Sequence, residues 1–212
     1  MGSIFRPDSP AMIFLSKMGT LIILNLLWLL FCIPIITIGP ATVALYSAAR
    51  RFSAEKEWPP LWKTFWGAFT ANFKQALLVF LCLAPLICLS GLYVFRAVVG
   101  VRSVLWFEGL CWLAIMLTAF VCAYAFPLIA HFDNTAGGTL KNAIILPFFS
   151  PLITLAIGLL NLLPVLLMVW NLSLFVRFSI FWLVIGGALT AYVNTKLLDR
   201  VFRRFTSNGG DT

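Results

Sequence analysis

The sequence predicts an all-α integral membrane protein with about five transmembrane helices. Of the 212 residues, 62% are hydrophobic and only 10% are charged, whereas soluble domains carry about 25% charged residues. The mean hydropathy is +1.01, and several uncharged stretches reach the length of about 20 residues that a helix needs to cross a bilayer. A soluble fold of this size would lack the polar side chains to cover its surface. We therefore expect residues 1–212 to form a single transmembrane domain.

The spans are placed where charged residues are absent. The two longest uncharged runs exceed one span, and we divide them at Gly39-Pro40 and at Pro147 and Pro151, because proline interrupts a helix. The unbroken apolar runs exclude barrel strands, which alternate, so the spans are helices. A four-span arrangement, in which the first segment re-enters the membrane at Pro34, is the alternative. The predicted spans are residues 19–38, 75–97, 105–128, 152–170 and 174–194.

The distribution of lysine and arginine predicts the orientation. Five spans place the segments 39–74 and 129–151 and the basic tail 196–212 on one side, which carries ten of the 15 Lys and Arg residues. Cytoplasmic loops hold the excess of basic residues, so we expect the C-terminus in the cytoplasm and the N-terminus outside. The net charge of +8 is then explained by basic residues that set the topology and contact anionic lipid headgroups. We therefore expect membrane lipid, and no nucleic acid, as a partner of the protein.

The cytoplasmic segment 39–74 predicts two amphipathic interfacial helices. The first covers residues 40–53 and has one apolar face, and the second follows Pro59-Pro60. The second helix leads into the next span and carries aromatic rings at positions i, i+3, i+4, i+7 and i+11. The simplest interpretation is a membrane-surface helix, and the alternative is a docking surface for a partner membrane protein. This aromatic stripe consists of Trp62, Phe65, Trp66, Phe69 and Phe73.

No motif predicts a catalytic, cofactor-binding or metal site, so we expect a non-enzymatic protein without a cofactor. His131 is the only histidine, and the five cysteines lie in apolar runs without a CxxC spacing. The predicted spans hold no ionisable residue near their middle, which disfavours a proton-driven carrier. Asn25 and Asn161 are expected to hydrogen-bond between helices, and Gly186-Gly187-Ala188 offers a small face for close helix packing.

The stretches LNLLWLLF at 24–31 and PIITIGPATVALY at 34–46 resemble the signature of the YesL family. FTANFKQ at 69–75 and FPLIAHFD at 126–133 resemble two further stretches of that family. Physically, the first signature is a device that ends a helix and turns the chain onto the membrane surface, with its tyrosine at the interface; a partner-binding role is the alternative. Its positions are Asn25, Trp28, Pro34, Thr37, Gly39, Pro40, Thr42 and Tyr46.

The resemblance implies a small multi-span protein of the bacterial plasma membrane, of a family without established catalytic residues. Such proteins are often found beside carbohydrate ABC-transporter permeases, which implies an accessory or scaffold role bound to permease subunits of a carbohydrate importer. The alternative is an independent small transporter or channel that acts as a homo-oligomer, because five helices leave little room for a polar path within one chain.

Overall fold

The structure is a computed structural model that describes residues 10–54, 60–100, 105–132 and 134–208. These residues form α-helices, one 3-10 turn at Ile35–Thr37 and one π-helical turn at Trp182–Gly186, with no strand among them. The α-helices are α1 Pro10–Cys32, α2 Ile38–Ala54, α3 Leu61–Ala71, α4 Phe73–Val99, α5 Leu105–His131, α6 Ala136–Phe149, α7 Pro151–Trp170, α8 Leu172–Phe181 and α9 Gly187–Asn208.

Five helices in the described part of the chain are long and apolar enough to cross a membrane, which confirms the predicted fold class. They are α1, α4, α5, α7 and the continuous helix that α8, the π turn and α9 form together. Their outward faces carry large apolar side chains, such as Leu152 and Trp170, which are more than four-fifths exposed. Apolar surface of this extent is stable in lipid and not in water.

Two helix boundaries differ from those that the sequence predicts, and proline position explains both. Helix α1 ends at Cys32 rather than near residue 38, because a residue that precedes proline, here Ile33, is disfavoured in the α conformation. Helix α6, by contrast, continues through Pro147 to Phe149, and the chain breaks only at Ser150-Pro151, where Pro151 opens α7. Proline in the first turn of a helix costs no hydrogen bond.

Helix α2 lies at the centre of the fold, in contact with α1, α3, α4, α5 and α9. The sequence predicts a surface helix with one buried face, but the structure buries most residues from Gly39 to Ala49, and α2 becomes accessible only towards its end, where Arg51 is exposed. Its small side chains allow the neighbouring helices to approach closely around the whole circumference. The buried residues are Gly39, Pro40, Ala41, Val43, Ala44, Leu45, Tyr46, Ala48 and Ala49.

The end of α1 and the start of α4 meet, through α3, at one end of the helix bundle. The end of α1 packs on α3, since the Phe31 and Phe69 rings are 5.0 Å apart. Helix α3 leads directly into α4, and Phe69 and Phe73 are also in ring contact, at 5.5 Å. The chain leaves α1 and enters α4 at this one end, so α2 and α3 together do not add a membrane crossing. The number of crossings is therefore five.

Candidate functional site

Asn25 joins α1 to the π-helical turn by two hydrogen bonds. Its side chain is fully buried. The Nδ2 amide donates to the Leu183 carbonyl over 2.7 Å, and Oδ1 accepts from the Ala188 backbone N–H over 2.9 Å. A π turn shifts the hydrogen-bond pattern of the helix and leaves backbone groups without their α-helical partners. Asn25 satisfies one such acceptor and one such donor, which lipid could not do.

Trp28 packs against the same turn and links it to α2. A Cβ atom on Gly187 would lie only 2.7 Å from Cζ3 of Trp28, so the indole fits because residue 187 has no side chain. The indole N–H donates to Oγ1 of Thr42 over 3.3 Å, and Thr42 in turn donates to the Ile38 carbonyl. Trp28 of α1 therefore contacts both α2 and the start of α9, and the close packing predicted at Gly187 is confirmed.

The segment that connects α1 to α2 is a tight turn closed by Thr37. Its hydroxyl lies 2.6 Å from the Phe31 carbonyl and 2.7 Å from the Pro34 carbonyl, and the Pro34 carbonyl also accepts from the Thr37 backbone N–H over 2.9 Å. Pro40 follows in the first turn of α2, where proline is tolerated. At Gly39 a Cβ atom would lie 2.7 Å from Cβ of Phe80, so α2 and α4 touch there almost backbone to backbone.

Tyr46 ends the signature in the interior of the protein, not at the membrane surface. Its hydroxyl accepts a hydrogen bond of 3.1 Å from Nδ2 of Asn194, which also lies 3.4 Å from Oδ1 of Asn161. Burial raises the pKa of the Tyr46 hydroxyl to about 12, so it stays protonated at neutral pH. The three side chains tie α2 to α7 and α9.

Tyr46 and Thr42 also border a cavity of about 610 Å³ between α2, α4, α5 and α7. No Asp, Glu, Lys, Arg or His lines it; the polar side chains are Thr42, Tyr46, Ser90, Thr118 and Asn161. Most of these already hydrogen-bond to neighbouring protein groups, as Ser90 does to the Leu86 carbonyl and Thr118 to the Ala114 carbonyl. The cavity is lined mainly by apolar side chains and is suited to an apolar occupant.

The structure divides the aromatic stripe into a buried and an exposed half. Phe65 and Phe69 are buried and pack on Phe31, with ring centroids 5.3 and 5.0 Å away. Trp62 and Trp66 are about half exposed and stack on each other at 6.0 Å and 7°. Phe31 contacts the rings of both halves. Its position in the sequence, about 30 residues before α3, does not predict this contact.

Comparison with known proteins agrees with the resemblance that the sequence stretches indicate. Residues 21–94 match the family described as "Protein of unknown function, DUF624". YesL of Bacillus subtilis (strain 168), named as uncharacterized, is 25% identical over 185 residues, which cover 85% of this chain and 83% of YesL. These matches bear out the resemblance to the YesL family. YteU of the same organism, also named as uncharacterized, is 29% identical over 116 residues, 51% of this chain and 50% of YteU. No solved structure matches.

The stretch that matches the DUF624 description contains all eight positions of the YesL signature and all five rings of the aromatic stripe. In this chain the signature residues connect α1 and α2 to the π turn and to α9, through Asn25, Trp28 and Tyr46. The exposed half of the stripe, Trp62 and Trp66, lies on the surface beside these contacts.

His131 lies at the end of α5 in a small polar and aromatic cluster. Its Nδ1 is 3.9 Å from Oδ1 of Asp199, and its ring contacts Phe132 and Phe202. The hydroxyl of Thr195 borders the same space but donates to the Ala191 carbonyl of its own helix. Within the described ranges, no three His, Cys, Asp or Glu side chains are grouped so that they could hold a metal ion.

Proposed function

We propose that this chain is a non-enzymatic accessory subunit that binds the membrane-embedded permease of a bacterial carbohydrate ABC importer. The observation that carries the proposal is the stacked pair Trp62 and Trp66 on α3, which is half exposed although Phe65 and Phe69 of the same helix are buried. Tryptophan is among the residues that contribute most to protein–protein binding when a partner covers it.

The two indoles are held in place before any partner binds. Phe31 contacts both rings, at 6.1 Å from Trp62 and 5.7 Å from Trp66, and Phe69 stacks on Trp66 at 5.7 Å. A side chain that is already ordered loses little conformational entropy on binding, so the same contact gives higher affinity. This rigidity favours a docking role over simple contact with headgroups, which needs no fixed ring geometry.

The importer enters the proposal through the family resemblance, which implies genes for carbohydrate importers as neighbours. A partner in the membrane agrees with the large exposed apolar surface of the spans. The proposed role is binding, and the uncharged lining of the cavity is in keeping with it.

Co-purification from native membranes tests the proposal. The tagged full-length chain is isolated in mild detergent, and the associated proteins are identified by mass spectrometry. Permease subunits should accompany the wild-type chain, and their recovery should fall at least about tenfold in the double variant Trp62→Ala, Trp66→Ala, which is the change that about 1.4 kcal/mol of lost binding produces.

The matched control is the double variant Trp106→Ala, Trp170→Ala, which also removes two exposed indoles, 72% and 85% exposed, but from α5 and α7. It should retain the permease. Isolation of the wild-type chain without any permease, in several detergents, would contradict the proposal, as would equal recovery with both double variants.

The cavity favours a second candidate, a small transporter or channel that acts as a homo-oligomer. A space of about 610 Å³ between α2, α4, α5 and α7 could widen where copies of the chain meet. Purified protein in liposomes should then carry a sugar or an ion faster than empty liposomes do. Flux that equals the empty control removes this candidate and leaves the accessory role.

A further inference from the structure

A groove of about 660 Å³ lies between the second half of α2 and α3, on the side of α3 next to the aromatic stripe. Small residues of α3, among them Gly67 and Ala71, form its floor and leave the space open. Polar and basic side chains occupy its rim. They are Ser47, Arg50, Arg51, Lys63, Thr64 and Asn72.

The groove concentrates positive charge. Arg50, Arg51 and Lys63 all border it, and none of its described lining residues is an Asp or Glu. The ion pair of His131 with Asp199 involves none of these three cations, although Arg50 also borders the small space beside that pair. The connecting residues 55–59, which include two glutamates, lie outside the described residues.

The groups around the groove suit an oxyanion with several oxygens. Guanidinium groups bind phosphate oxygens through two parallel hydrogen bonds, and an ammonium adds a point charge. The Thr64 hydroxyl can complete the set, because none of the hydrogen bonds among the described residues uses it. Asn72 donates its amide to the Ala68 carbonyl.

We propose that this groove binds the phosphate group of an anionic phospholipid. The exposed indoles of Trp62 and Trp66 on the adjacent face of α3 are typical of the headgroup level of a membrane, and the spans around the groove expose apolar side chains. A basic pocket between helices at that level is a recognised type of lipid-headgroup site. A lipid phosphate is delivered to this depth by its own acyl chains, whereas a free phosphate is not.

Native mass spectrometry of the full-length chain in detergent tests the proposal, with phosphatidylglycerol and phosphatidylcholine of the same acyl chains as probes. The wild-type chain should retain phosphatidylglycerol in preference. Each neutralised cation should weaken that binding about fivefold, since a basic residue at a membrane surface contributes about 1 kcal/mol. The triple variant Arg50→Gln, Arg51→Gln, Lys63→Gln should lose on the order of a hundredfold.

The control is the triple variant Lys74→Gln, Lys141→Gln, Arg200→Gln, which removes the same charge from exposed positions outside the groove. It should bind as the wild type does. Should the first triple variant fail to fold, the double variant Arg51→Gln, Lys63→Gln changes only exposed side chains and should lose about twenty-five-fold.

Three results would overturn the inference. The first is a wild-type chain with no preference for phosphatidylglycerol. The second is an equal loss in the groove variants and the control, which would show a response to total charge alone. The third is inorganic phosphate that displaces phosphatidylglycerol at equal concentration, which would assign the groove to a free phosphate compound instead of a lipid.

Discussion

Asn25 and Asn161 carry the same amide but contribute differently to the fold. Asn161 donates to the Ile157 carbonyl of its own helix, where the backbone already forms regular hydrogen bonds, and its contact with another helix is a long one, 3.4 Å from Nδ2 of Asn194. Asn25 bonds to Leu183 and Ala188 of a distant helix, where the π turn has disturbed them. A hydrogen bond from an amide side chain between membrane helices contributes on average well under 1 kcal/mol when the bonded groups have other partners available. The backbone groups that Asn25 bonds to have no other partner, so we expect its contribution to be larger.

Replacing Asn25 by leucine, which has nearly the same volume, should lower the free energy of unfolding by about 2–5 kcal/mol, because two buried backbone groups are left unsatisfied at roughly 1–3 kcal/mol each. Unfolding in detergent by titration with a denaturing surfactant measures the change. Asn161→Leu is the control and should cost about 1 kcal/mol or less. Equal losses for the two variants would contradict the role given to the π turn.

Gly187 shows the same dependence on position. Gly187→Ala places a Cβ atom 2.7 Å from Trp28 and 2.9 Å from Oδ1 of Asn25, and overpacking of this kind should cost about 1–3 kcal/mol. In α5 the substitution Gly109→Ala meets no atom within 4 Å and should be neutral or stabilise the helix by up to about 1 kcal/mol. The melting temperatures of the two variants and the wild type are measured in the same detergent. A Gly187→Ala protein as stable as the wild type would contradict the close contact with Trp28.

At the scale of elements, α2 and α3 form a layer that joins the amino-terminal span to the rest of the bundle. Helix α2 is held by neighbours on every side, whereas α3 is held mainly by α2 and by the Phe31 cluster. A short helix of 11 residues is marginal by itself. The position of α3, and with it the position of the exposed indoles, therefore depends on one phenylalanine of α1.

Phe31→Ala should loosen α3 while the spans stay folded. Each lost aromatic contact is worth about 0.5–1.5 kcal/mol, so amide hydrogen exchange in residues 61–71 should become about tenfold faster or more. Exchange in α7 should be unchanged. Phe148→Ala, which removes a ring that is 82% exposed, is the control and should leave α3 as it is; unaltered exchange in Phe31→Ala would show that α2 alone holds the helix.

For the whole molecule, the structure collects the predicted cytoplasmic segments at one end of the bundle. Gln75, near the start of α4, donates its side-chain amide to the Asn134 carbonyl and lies 3.1 Å from the hydroxyl of Thr139. His131 and Asp199 bring the end of α5 to α9 at the same level. The groove cations Arg50, Arg51 and Lys63 belong to this end as well, through α2 and α3, so the excess of basic charge is a property of one face of the protein.

That charge should direct this end to the cytoplasm. A green fluorescent protein fused to the C-terminus should therefore fluoresce, while alkaline phosphatase fused at the same position should be inactive. Fusions at the N-terminus should give the reverse, because five crossings separate the two ends. The same signal from both termini would contradict five crossings, and an exchanged pair of signals would reverse the orientation.

The sequence allows the helical class, the five spans and the bonding role of Asn25 to be predicted, because each depends on local composition or on a single buried polar group. The π turn at Trp182–Gly186 cannot be predicted in this way, since an apolar stretch there is compatible with both an α-helix and a π-helix. The central place of α2 was missed because Arg50 and Arg51 make its end look amphipathic. The alanines around its circumference are the signal that indicates burial over most of its length.

The partners of the first helices lie far along the chain: Asn25 bonds to residue 188, and Tyr46 to residue 194. At a synthesis rate of about 5–20 residues per second, the ribosome needs roughly 10–30 s to make the intervening segment. Throughout this delay the side chains of Asn25 and Tyr46 lack these hydrogen-bond partners. Assembly can therefore be completed only after α9 has been synthesised, and a chain truncated before α9 should be a substrate for quality-control proteases.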